Sequence, residues 1–170
     1  MNAFFWYFAY GSNLLAERIR HRQKGAEYFC NGKLENFSLQ FVTYAPRWQG
    51  AIATVVEAPG KEVWGCVWKM PQEYSESLDE QENSYHRLNV TVQTPEGPIT
   101  CRTYQFSDLQ VNATLPSPHY KLVIVEGAKE HHLPKEYIKN LENLPDNNFQ
   151  GKVEVDIPIL EKLNNKPKEL

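Results

Sequence analysis

The residues best suited to chemistry stand where an aromatic run meets a polar turn. Phe4-Phe5-Trp6-Tyr7-Phe8-Ala9-Tyr10 leads straight into Gly11-Ser12-Asn13, and Leu14-Leu15-Ala16-Glu17-Arg18-Ile19-Arg20 follows. A short run of apolar and aromatic residues suits a strand buried on both faces, and the stretch after the turn suits a helix. Gly11 lets the backbone approach a ligand with no Cβ in the way. Ser12 or Asn13 can cap the helix, whose first free N–H groups point into the same space. A corner of that kind binds anions. The same three residues equally suit a capped turn with no ligand, because this chemistry opens many helices.

A carboxylate is the second candidate. Residues 71–82 read as a helix opened by Pro71, with Tyr74 and Leu78 four apart on a thin apolar stripe. The next position on that stripe is Glu82, which puts a carboxylate on the inward face. A helix-end glutamate in solvent is the alternative. His131 and His132 are adjacent, so they point to different helix faces or sit in a loop, and they read as solvated residues rather than metal ligands. The spacing implies no Ser-His-Asp or Cys-His arrangement.

The elements that must hold these residues follow from periodicity. Turns are expected at Gly25 and Asn31-Gly32, and Phe37, Leu39 and Phe41 alternate with polar residues as in a half-buried strand. Residues 43–50 read as a loop. Residues 51–56 read as a strand turning at Pro59-Gly60, with 63–70 returning antiparallel; Trp64, Cys66 and Trp68 line one face of it and Val63, Gly65 and Val67 the other. Leu88, Val90 and Val92 alternate before a turn at Thr94-Pro95-Glu96-Gly97 and a partner strand over 99–106. Ser117 can cap a helix carrying Tyr120, Ile124 and Ala128, and Pro134 opens another; both tryptophans and Tyr120 suit a core as well as a site. A last strand is expected at Val153, Val155 and Ile157. The expected class is α+β: a small, curled, mainly antiparallel sheet or barrel flanked by helices. The expected division is one domain over residues 1–160 and a frayed tail over 161–170.

Composition excludes several classes. A chain of 170 residues can bury a core without a metal or disulfide staple, and a net charge of -3 gives no reason to expect nucleic acid or an acidic membrane surface. Cys30, Cys66 and Cys101 are few, odd in number and far apart, so neither a disulfide framework nor a zinc site is expected and a reducing compartment fits. The apolar start lacks a basic n-region, so it reads as a strand rather than a signal peptide and a cytoplasmic protein is expected.

Four motifs in order carry a family resemblance. Tyr7-Phe8-Ala9-Tyr10-Gly11-Ser12-Asn13-Leu14, Trp64-Gly65-Cys66-Val67-Trp68, Ser77-Leu78-Asp79-Glu80-Gln81-Glu82 and Pro116-Ser117-Pro118-His119-Tyr120 together resemble the gamma-glutamylcyclotransferase family over about residues 4 to 155. The resemblance implies a small barrel flanked by helices, no cofactor, a small gamma-glutamyl substrate and a homodimer. It implies a reaction in which the substrate's own α-amine attacks its γ-carbonyl, so an effective molarity of order 10⁵ M is available without a covalent enzyme intermediate. One buried carboxylate suffices to move the protons. The last Glu of the family's Leu-Asp-x-x-Glu motif aligns with Glu82 rather than Glu80. Tyr7, Phe8, Ala9, Tyr10, Gly11, Ser12 and the adjoining Asn13 would hold the glutamyl moiety, with the Gly11 and Ser12 N–H groups on its carboxylate or on the developing oxyanion. Tyr120 would complete the pocket through its hydroxyl. Where the family usually has Gly after this Glu the chain has Asn83, followed by a shortened Ser84-Tyr85-His86 segment. That departure keeps open a gamma-glutamylamine cyclotransferase and an inactive relative binding a small anionic metabolite.

Overall fold

The computed structural model describes residues 3–81 and 84–165. Five strands close a barrel in the order β1-β3-β2-β4-β5: β1 (Phe4–Ala9), β2 (Glu27–Ala45), β3 (Gly50–Pro71), β4 (Tyr85–Thr94) and β5 (Gly97–Phe106). Pairing is antiparallel except where β1 meets β5, with Tyr7 opposite Arg102. Helices α1 (Ala16–Arg22), α2 (Ser75–Gln81), α3 (Pro118–Glu130), α4 (Lys135–Glu142) and α5 (Glu161–Asn164) flank it. This is the α+β barrel with flanking helices expected from the sequence. Among the described residues no helix is long and apolar enough to cross a membrane.

The strands are longer than periodicity suggests because irregularities interrupt the alternation without ending the ladder. Asn31-Gly32 lies inside β2 rather than in a turn, and residues 51–56 and 63–70 are one strand that does not fold back on itself. Both halves of β3 pair with β2: Phe37 lies opposite Glu57 and Glu35 opposite Glu62, so Pro59-Gly60 sits in a wide bulge. Gly60 takes φ +81 there, and its N–H donates to Asn36 Oδ1 at 3.0 Å. The loop expected at 43–50 shrinks to a four-residue turn, since Ala45 and Gly50 are paired.

β1 completes the barrel against the second half of β3, with Ala9 opposite Cys66. Gly65 permits that closeness, because a Cβ there would stand 2.2 Å from the Ala9 carbonyl oxygen and 2.8 Å from the Phe8 ring. Among the described residues no strand pairs with the outer edge of the first half of β3; the Ala51 N–H donates to Leu115 C=O at 3.0 Å, and side chains satisfy further groups. Ala53 N–H donates to the Tyr120 hydroxyl at 2.9 Å, the Tyr85 hydroxyl donates to Ala53 C=O at 2.6 Å, and Gln105 Nε2 donates to Val55 C=O at 3.0 Å. An edge capped by side chains instead of a ladder leaves room for a cleft.

α3 packs on the turn after β1. Ser117 Oγ accepts the Tyr120 N–H at 3.1 Å, as an N-cap followed by Pro at the first helical position should. Gly127 lets the helix lie directly on the chain, since a Cβ there would stand 2.6 Å from Leu14 Cβ and 2.7 Å from Leu15 N. Residues 153–157 form no strand. Val153, Val155 and Ile157 are buried as an extended segment, and the Val153 N–H donates to Asn164 Oδ1 at 3.0 Å rather than to a ladder. That bond ties α5 to the body of the protein.

Candidate active site

The turn after β1 is a 3-10 turn over Ser12–Leu14, with α1 starting only at Ala16. Neither Ser12 nor Asn13 caps α1. Its N-terminal cap residue is Leu15, and the Ala16 N–H instead donates to Glu130 Oε2 of α3 at 2.9 Å. The bonds of the 3-10 turn run from Leu14 N–H to Gly11 C=O at 3.0 Å and from Leu15 N–H to Ser12 C=O at 3.3 Å. The N–H groups of Ser12 and Asn13 stand ahead of the first of them and are the turn's spare donors among the described residues.

A polar cavity of about 50 Å³ opens over this turn, lined by Tyr7, Tyr10, Gly11, Ser12, Asn13, Ala53, Tyr85, Tyr104 and Tyr120. That is room for about four waters. Six of the expected site residues therefore converge: Tyr7, Tyr10, Gly11, Ser12, Asn13 and Tyr120. Phe8 and Ala9 do not line it. Strand alternation turns the Phe8 ring into the barrel against Gly65, and Ala9 is buried beside Cys66, so both serve the core. A Cβ on Gly11 would stand 3.4 Å from both Ala53 Cβ and the Tyr120 hydroxyl, two groups of the cavity wall.

Polar wall side chains are held by partners in the fold. Asn13 is buried; its Nδ2 donates to the Tyr7 hydroxyl at 3.1 Å, and its Oδ1 has no hydrogen-bond partner among the described residues. A buried amide oxygen left over in this way is an acceptor available to a ligand. The Tyr10 hydroxyl donates to Tyr104 C=O at 2.5 Å, and the Thr103 hydroxyl donates to Phe8 C=O at 2.9 Å, locking β1 to β5 below the cavity.

The Tyr104 hydroxyl donates to Asp79 of α2 at 2.5 Å, and Asp79 is also gripped by Arg87, with Arg102 at 3.6 Å. Arg102 in turn donates to Ser75 Oγ at 2.9 Å. Burial pushes the Asp79 carboxyl up, but the Arg87 and Tyr104 hydrogen bonds and the Arg87 and Arg102 charges outweigh it and hold its pKa below the usual carboxylate range. Burial first, and then the bond to Asp79, keep the Tyr104 phenol protonated. A carboxylate with a depressed folded-state pKa stabilises the fold above its unfolded pKa of about 3.9, and that contribution is lost as pH falls through the folded value. Asp79→Asn is expected to lower stability at pH 7 by ~1–3 kcal/mol, discounted towards the lower figure because the side chain is 30% exposed. Melting curves of the two proteins should converge under strongly acidic conditions; an equal gap at all pH values would assign the loss to packing.

Leu78 of α2 is buried and Tyr74 half-buried, whereas Glu80 is exposed, so the inward stripe has the expected register up to that point. Glu82 lies outside the described residues. His131 is not solvated: its ring stacks on Tyr28 at 4.5 Å and meets the edge of Trp68 at 5.4 Å, with Nε2 3.1 Å from Glu130 Oε2. His132, with φ 54, is the exposed one of the pair.

The cavity adjoins an outer compartment of about 260 Å³ whose wall shares Ser12, Tyr85 and Tyr120 and adds Arg18, Arg47 and Trp48. The sequence reading missed Tyr85, Tyr104 and these outer residues, because they come from β4, β5, α1 and the β2–β3 turn and meet only on folding. A cleft of about 560 Å³ between β1 and the start of α2, lined among others by Phe4, Glu27, Lys69 and Glu73, is larger. It lacks converging buried polar groups, which are what mark a site.

Residues 62–141 match the model of the AIG2-like family. The chain is 46% identical to a gamma-glutamylcyclotransferase of Bos taurus over 162 residues, covering 90% of this chain and 85% of that protein. It is 45% identical to a gamma-glutamylcyclotransferase of Homo sapiens, again over 90% of this chain and 85% of that protein. Among solved structures it is similar to a gamma-glutamyl cyclotransferase with a TM-score of 0.88 and 42% identity, covering 95% of this chain and 98% of the other.

Proposed function

We propose, from the premise that the chain belongs to the gamma-glutamylcyclotransferase family, that it is an enzyme converting a gamma-glutamyl amino acid to 5-oxoproline and the free amino acid. The observation that carries the reading is the cavity itself: spare N–H donors of the Gly11-Ser12-Asn13 turn, the unpaired Asn13 Oδ1 and a ring of tyrosines converge on a space sized for a small polar group.

The reaction closes a ring. The α-nitrogen of the glutamyl group bonds to its γ-carbon, and the bond from that carbon to the leaving nitrogen breaks. Two protons must pass from the attacking ammonium to the departing amine, one before attack and one as the tetrahedral intermediate collapses. In this reading Glu82 carries both, as base and then as acid. Asn13 Oδ1 accepts from the substrate's ammonium, and the Ser12 and Asn13 N–H groups stabilise the glutamyl carboxylate or the oxyanion. Tyr120, whose oxygen is held by Ala53 N–H at 2.9 Å, sits at the cavity rim beside the scissile bond. The reaction needs no metal or organic cofactor.

The reading extends to a cytoplasmic homodimer. Free Cys30, Cys66 and Cys101 support the reducing compartment, and the exposed aromatics Phe4 and Phe29 around Trp6 support a covered face. The purified protein should release 5-oxoproline from gamma-glutamyl-alanine faster than from gamma-glutamyl-ε-lysine or glutathione. Failure to release it from any of the three would sink the reading.

A further inference from the structure

The next inference rests on that reading and concerns the leaving group. If the glutamyl arm fills the inner cavity, the leaving amino acid falls to the outer compartment, because the two spaces adjoin along Ser12, Tyr85 and Tyr120. Two guanidinium groups line that outer space, and no carboxylate does among the described residues. Arg18 is buried to 7% exposure with its guanidinium 5.5 Å over the Trp48 ring, and Trp48 meets Tyr120 edge-on at 4.8 Å. The cation is thereby fixed against the rim of the inner cavity. Arg47 is exposed on the turn between β2 and β3, next to the 4%-exposed Trp48. Its backbone is anchored, the Glu154 N–H donating to Arg47 C=O at 3.2 Å, while its side chain has no ion-pair partner among the described residues.

We propose that the outer compartment is a subsite for the α-carboxylate of the leaving amino acid, with Arg47 as its specificity-determining cation and Arg18 as a fixed positive background. In an α-linked gamma-glutamyl amino acid that carboxylate is two bonds from the scissile nitrogen, so it lies beside the rim when the glutamyl arm is seated. In an ε-linked lysine it is six bonds away and overshoots; in a simple amine it is missing. A planar guanidinium matches a carboxylate with two parallel hydrogen bonds, which a solvated ammonium does less well. The subsite therefore selects free amino acids over amines as leaving groups.

The test compares gamma-glutamyl-alanine with gamma-glutamyl-alaninamide, which keeps the shape and removes the charge, by 5-oxoproline release from the wild-type protein and from Arg47→Gln. The wild type should favour the acid by about tenfold or more in kcat/KM, carried mainly by KM. Arg47→Gln should bring the acid-to-amide ratio close to one, Arg47→Lys should restore part of it, and added salt should erode the wild-type ratio. An unchanged ratio in Arg47→Gln, with both compounds turned over, would overturn the subsite while leaving the reaction intact. No 5-oxoproline from either compound with the wild type would overturn the reaction, and the subsite with it.

Discussion

Glu82→Gln is expected to keep the fold and most of the substrate affinity while losing about 10² to 10⁴ of kcat. The amide preserves volume and hydrogen bonding but cannot take the ammonium proton, so the loss should fall on kcat rather than KM. Glu80→Gln is the paired control. Glu80 is exposed on the face of α2 away from buried Leu78, and its substitution should leave kcat/KM within about threefold of wild type. Melting curves must accompany both, because removing a charge that is costly to bury can stabilise a protein while killing it. Normal turnover by Glu82→Gln, or a dead Glu80→Gln, would overturn the acid/base assignment.

The Asp79 cluster makes a distinct demand on the same helix. Asp79, two residues from the end of α2, joins it to β4 through Arg87 and to β5 through Arg102 and Tyr104, and Tyr104 is itself cavity wall. An error in α2 would thus reach the cavity through Tyr104. A Glu82 variant that leaves the melting temperature and the Asp79-dependent acid sensitivity intact would therefore locate its defect in chemistry.

How much of this was legible depended on whether a feature is local. The turn after β1, the Ser117 cap and the hairpin at Thr94–Gly97 are each fixed by a few adjacent residues, and each stands where expected. The bulge opposite Asn36 was not legible, since four residues facing one mimic a reversal unless the partner's register is known. Barrel closure likewise depends on Gly65 meeting Ala9 and on Lys33 meeting Gln93, contacts between residues far apart in sequence. Residues 153–157 alternate like a strand because one side is buried, but their bonds go to scattered partners, the Val153 N–H to Asn164 Oδ1 and the Glu154 N–H to Arg47 C=O. Nothing local announces the aromatic slot of Tyr28 and Trp68 that receives the His131 ring. The cavity lining divides the same way: the Gly11-Ser12-Asn13 corner is local in sequence, whereas Tyr85 and Tyr104 reach it from β4 and β5.

Gly11→Val is expected to weaken substrate binding by at least about tenfold in a protein that still folds. Gly11 has φ -111, outside the left-handed region, so the substitution incurs no left-handed strain. A single Cβ also fits, with Ala53 Cβ and the Tyr120 hydroxyl at an ordinary 3.4 Å. Valine adds two carbons beyond that point. They must either enter the cavity of about 50 Å³ or displace Tyr120 from its bond with Ala53 N–H, and both outcomes act on the space assigned to the glutamyl group. Gly11→Ala should fall between wild type and valine, giving a graded series in the dissociation constant measured calorimetrically with 5-oxoproline or a non-cleavable gamma-glutamyl analogue. If all three bind equally while melting within a few degrees of one another, the turn at Gly11 is a structural corner and the substrate lies elsewhere.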